Sequence, residues 1–327
     1  MINSSPAFRM PTRMHLVDLI RLFAASAVWL FHACYLDPVF HGATYQVDQT
    51  LSVVARYGYL GVTVFFMISG FVIAASACGR TRFSFAIARF SRLYPAFITC
   101  LVATLVALYC RGYAFTSAQM LANLTMLPKL LGQQYFDDVY WSLMFEILFY
   151  SYVCILLIGP QFSERLRTFA TCWLILSLIH LYLPVPLKTL LILDWAPYFC
   201  VGCFTWLITD NVKKWDVAFL IASIAVASLI TALNARWGDP FIAGAIIATI
   251  AIAFPVLTRI KLAKSLEIST LIAGAISYPL YLIHNVYGSW IAKATGNFAL
   301  SIVIVLLTCY VVTRIESYTR PYLLGKT

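Results

Sequence analysis

At 327 residues the chain is long enough for about two soluble domains, yet 62% of it is hydrophobic and only 11% is charged, with a mean hydropathy of +0.86. Soluble domains carry roughly 25% charged residues, so a soluble enzyme, a disordered chain and a secreted disulfide scaffold are excluded. The apolar residues suffice for about ten membrane spans of about 20 residues each. The net charge of +10 then points to basic loops on one membrane face rather than to nucleic acid.

Apolar stretches run near 16–36, 57–78, 96–110, 139–159, 169–183, 196–209, 216–233, 240–257, 269–291 and 298–313. They predict an all-α polytopic membrane protein of about ten transmembrane helices, organised as a single domain over 1–327. The third, fifth and sixth stretches are short enough to be tilted, broken or re-entrant. With the N-terminus cytoplasmic, sixteen of the 23 Lys and Arg residues fall between or beyond the spans on the inner side, Arg9, Arg13 and Lys326 among them. Six fall on the outer side, and Arg21 lies inside the first span. Both termini are therefore expected in the cytoplasm, in a multi-pass protein of the cell (inner or cytoplasmic) membrane. Nine cysteines are scattered through apolar runs, and the lone pair Cys200 and Cys203 lacks a second pair for zinc, so no metal is expected.

Ionisable residues at membrane depth are costly, and each is a functional candidate. The first span holds Asp18, Arg21 and His32, the fourth Glu146, the fifth His180, and the ninth His284. Asp18 is placed to neutralise Arg21 one turn away. Arg21 and His32 are eleven residues apart, close to three full turns, so they share a face about 16 Å apart. His32, Glu146 and His284 are all expected in one outer layer, where a carboxylate beside an imidazole would support general-base chemistry. His180 reads as interfacial. The inner loop RTRFSFAIARFSRLYP carries Arg80, Arg82, Arg89 and Arg92. It suits either anionic lipid or a phosphate ligand, for which the guanidinium fork is fitted.

These segments resemble the acyltransferase family 3 membrane proteins, which O-acylate cell-surface polysaccharides, peptidoglycan and related glycans. LVDLIRLFAASAVWLFH is similar to the family's first span, with Arg21 and His32. FFMISGFVIA resembles its second-span segment around Ser69 and Gly70, ARFSRLYP its basic inner motif with Arg89 and Arg92, and WSLMFEILFY its Trp-Ser-Leu-x-x-Glu segment with Trp141, Ser142, Glu146 and Tyr150. ISYPLYLIH, with Ser277, Tyr278, Tyr281 and His284, is similar to a later segment. The chain departs from the family where Arg89 is followed by Phe and Ser rather than a second basic residue, and where SYTR separates Glu316 from Pro321. Asn123, Leu124 and Thr125 match a glycosylation sequon, as similar residues there often do in the family.

The resemblance implies an acyl-CoA donor, most commonly acetyl-CoA, taken from the cytoplasm, and a glycan acceptor, with membrane lipid as surroundings and no nucleic acid partner. The phosphates would meet Arg89 and Arg92, with Arg21 a further contact, and the arm would thread outward along the first helix. His32 would act as base or briefly carry the acyl group, Glu146 would orient it, and His284 would bond the acceptor or the oxyanion. The alternative from another class is a proton-coupled transporter or flippase of a glycan or acyl group, since buried Arg, Glu and His also line ion pathways.

Overall fold

A backbone in hydrocarbon must satisfy its own hydrogen bonds, which leaves helices and closed barrels as solutions. The computed structural model describes residues 14–40, 47–210 and 212–324; among these residues the regular elements are helices, with no strand. Arg9, Arg13 and Lys326, part of the orientation count, lie outside the described residues. The principal helices are α1 (His15–Leu30), α2 (Gly61–Ala77), α3 (Arg82–Cys110), α4 (Trp141–Leu156), α5 (Phe162–Tyr182), α6 (Ala196–Asp210), α7 (Lys214–Leu233), α8 (Pro240–Leu257), α9 (Glu267–Ile283) and α10 (Phe298–Leu323). Among the described residues, seven helices are long and apolar enough to cross a membrane. Helices α5, α6 and α9 fall outside that set. Helix α5 carries Glu164, Arg165 and Arg167 in its first turns, and α9 stops after 17 residues. Helix α6 is buried without a break from Ala196 to Leu207, as expected of a helix that is apolar all round.

The chain forms two compact units from discontinuous segments: one from residues up to 18, 63–85 and 151–270, the other from 19–62, 86–150 and 271 onward. In the first, α2 and α6 cross where Gly70 and Gly202 face one another. A Cβ on Gly70 would meet the Phe199 carbonyl, and one on Gly202 the Met67 carbonyl. Small residues at such a crossing let two backbones touch, which replaces the hydrophobic drive that lipid cannot supply. The stretch 183–195 is not helical, and side chains of the neighbouring helices satisfy it: Trp173 donates to the Leu191 carbonyl at 2.6 Å, Ser177 to Leu193 at 2.7 Å, and Tyr152 to Leu190. At the start of α5, Arg167 holds the fully buried Asp216 of α7 through two bonds of 2.7 and 3.1 Å.

The second unit contains Arg21, His32, Arg89, Arg92, Glu146 and His284. Its first helix is seated by the segment before α2, where Gly58 and Gly61 lie one turn apart. A Cβ at Gly58 would run into the Ala27 carbonyl, and at Gly61 into that of Ala24. Beyond Leu30 the helix does not continue regularly: Phe31–Leu36 is π-helical, and the Asp37 amide donates to the His32 carbonyl. In α9, Pro279 has no N–H for the Ala275 carbonyl, and the Thr313 hydroxyl of α10 donates to it at 3.4 Å instead.

Candidate functional site

Ser142, Glu146 and Tyr150 follow one another at four-residue intervals and form a polar stripe on α4. On α9, Tyr278 and Tyr281 are three residues apart on one side of the helix, one turn beyond Gly274. Their bonds order the site from one end of the unit to the other.

At one end lies Asp137, just before α4 and 1% exposed. Its carboxylate accepts from the Asn285 amide at 2.7 Å, the Val286 N–H at 2.9 Å and the Val139 N–H at 3.1 Å. It thus pins the start of α4 to the break after His284, where the chain turns before the short helix Val286–Thr295. Burial pushes this carboxyl up to about 6, against the lowering effect of the three bonds. One step further in, the Ser142 and Tyr281 hydroxyls bond at 2.7 Å, and Tyr281 donates to the Val139 carbonyl at 3.0 Å.

At this level His32 and His284 meet edge to face, with ring centroids 5.0 Å apart and planes inclined at 63°. His284 follows the last residue of α9, where helix carbonyls lack intrahelical partners. Its Nδ1 lies 2.8 Å from the Tyr281 carbonyl and 3.2 Å from that of Leu280. A carbonyl only accepts, so Nδ1 carries the proton and Nε2 presents the lone pair of the neutral ring. Nε2 is buried with no hydrogen-bond partner among the described residues. His32 sits inside the π-helical turn with Phe31 against it at 5.2 Å. Such turns occur disproportionately at functional sites.

Further along, Glu146 accepts from the Tyr150 hydroxyl at 2.5 Å. Arg89 and Arg21 lie within electrostatic reach of that hydroxyl, and Glu146 and Tyr150 within reach of Tyr278. At the far end Arg92 pairs with the buried Glu316 of α10 and donates to the Gly274 carbonyl at 3.3 Å. Arg320 reaches the same carboxylate at 4.0 Å.

The structure therefore brings His32 and His284 together, and places Arg21 and Arg89 around the Glu146–Tyr150 pair. Arg92 is engaged by Glu316. Arg80 and Arg82 are exposed, and the Arg82 guanidinium lies over the adjacent Phe83 ring at 5.0 Å. Reasoning from sequence missed Asp137, Asn285, the π turn and the Glu316 pairing. The acid immediately before the Trp-Ser-Leu segment and the Asn immediately after His284 were the available signals. Asn123 of the sequon is buried, and its amide atoms bond Gln119, Gln134 and Phe136. Among the described residues no group of three or more His, Cys, Asp or Glu is arranged to hold a metal ion.

Compared with known proteins, residues 14–314 match the acyltransferase family 3 model, described as an acyltransferase domain. No curated protein and no solved structure matches the chain. The match runs from the residue before α1 to Arg314 near the end of α10, and so takes in both imidazoles, the arginines and the polar stripes between them. The chain belongs to acyltransferase family 3 and is a multi-pass, helical membrane acyltransferase.

Proposed function

We propose that the protein transfers an acyl group, acetyl in the first instance, from cytoplasmic acyl-CoA to a hydroxyl of a cell-surface or lipid-linked glycan, in the cell's inner or cytoplasmic membrane. The observation that carries this reading is the imidazole pair. One ring has its proton anchored on a backbone carbonyl and its lone pair turned inward, and the other stands 5.0 Å away on a different helix. An activated hydroxyl needs such a lone pair within hydrogen-bond reach. Arg21, about three turns before His32 along the first span, and Arg89 supply cations for the coenzyme phosphates. The acidic, phenolic stretch between them is the route of the arm.

In this reading the acceptor hydroxyl bonds to Nε2 of His284 or to His32, which takes its proton as the oxygen attacks the thioester carbonyl. The C–S bond then breaks, and the proton passes from the imidazolium to the departing thiolate, so ester and free thiol are formed with no other reactant. Glu146, bonded to Tyr150, contributes by holding that part of the column negative and hydrogen-bonded. Arg92 fixes α3 to α10 and lends its charge to the arginine end.

The test is transfer of label from acetyl-CoA to glycan in membrane vesicles. His32→Ala and His284→Asn are each expected to lower transfer by at least about 100-fold at unchanged expression. The Asn amide keeps a donor for the Tyr281 carbonyl while removing the Nε2 lone pair. Full transfer by both variants would sink the proposal, and glycan movement without any labelling would favour a transporter.

A further inference from the structure

Tyr278 ends in a hydroxyl that is buried and has no hydrogen-bond partner among the described residues, although its ring is half-buried. An unpaired buried donor is costly and uncommon in native structures, and it calls for a ligand or water. Three things restrict what that partner is. Side chains on a helix lean toward its N-terminus, so the phenol leans from Cα278 away from the His284 end of α9. Glu146 lies within electrostatic reach and acts more strongly there than Arg92, which is also in reach, so the net field does not favour an anionic acceptor such as phosphate. Finally, the position falls between the imidazole pair and the arginine end marked by Arg92 and Gly274. The acceptor is thus a neutral carbonyl in the middle of an elongated ligand.

Accepting the acyl-CoA reading above, on which this inference rests, we propose that the Tyr278 hydroxyl donates to an amide carbonyl of the donor's pantetheine arm. The phenol then recognises the arm itself, beyond the charge recognised by the arginines. It is a binding residue, and the proton on its oxygen stays in place through the reaction.

The experiment is calorimetric binding of two probes to the purified full chain: coenzyme A, which has the arm, and adenosine 3′,5′-bisphosphate, which lacks it. Tyr278→Phe is expected to weaken coenzyme A about tenfold and the bisphosphate less than about twofold. The unliganded variant should melt no lower than the wild type, because the substitution deletes an unsatisfied group. Unchanged coenzyme A affinity, or equal weakening of both probes, overturns the proposal. Wild-type protein that binds neither probe overturns the acyl-CoA reading, and this proposal with it.

Discussion

Asp137 shows how much one carboxyl can organise. It accepts from two residues just past His284 and one at the head of α4, so the geometry of the helix break depends on it. Its carboxyl titrates near 6 in the fold because burial opposes the charge, against about 4 in an unfolded chain. The folded state therefore binds this proton more tightly. The stability it contributes is complete below about pH 4 and is lost as pH rises through 6. The melting-temperature advantage of wild type over Asp137→Asn should accordingly shrink between pH 4.5 and 6.5, by an amount corresponding to the order of 2 kcal/mol. A difference that stays constant across that range would show that the carboxyl is not titrating there. His284 is a parallel case: an imidazole in an apolar span was legible as a candidate, whereas its proton position depends on a carbonyl three residues back on a helix that happens to end there.

Among the elements, α1 matters most because it carries Arg21 and runs directly into the π turn that holds His32. Its seat is the contact of Gly58 and Gly61 with the Ala27 and Ala24 carbonyls. Gly58→Ala should push α1 outward, cost about 1–3 kcal/mol and, by displacing His32 on the scale of 1 Å, lower acyl transfer about 100-fold. Gly288→Ala is the control: its nearest neighbour would be 3.5 Å from the new methyl, so it should melt and turn over like wild type. If both variants melt alike, the seat is not close-packed. The uninterrupted apolar stretch 16–36 predicts one helix; the widening at Phe31–Leu36 is not foretold by it, because a π turn is stabilised by what packs against it. The short helix Gln49–Ala55 and the rings of Tyr59 and His284 surround that turn, and none of these is near it in sequence.

Taken as a whole, the molecule is apolar enough that its charges stand out, and their bias predicts which end of each span faces the cytoplasm. Cys78, in the loop between α2 and α3, and Cys110, the last residue of α3, are both exposed. In a background without the other cysteines, a membrane-impermeant maleimide should label Cys110 on intact cells and Cys78 only after permeabilisation. The reverse pattern would place the basic loop outside and remove the basis for a cytoplasmic donor.

The sequence by itself determined the solvent, the helical class and the short list of buried polar groups, because hydrocarbon penalises charge and unpaired backbone wherever they fall in the fold. The family motifs likewise named His32, Glu146, His284 and the arginines. Only the tertiary structure decided which of them meet. Helix rise estimates depth along each separate helix, but says nothing about which face a helix turns to its neighbour or where a neighbour breaks. Packing of α4 against α9 sets Ser142 on Tyr281, packing of α3 against α10 sets Arg92 on Glu316, and Glu146 has Tyr150 of its own helix as a partner. Two of these three bonds join residues more than a hundred positions apart, and no local pattern encodes a choice that is made when the helices close on one another.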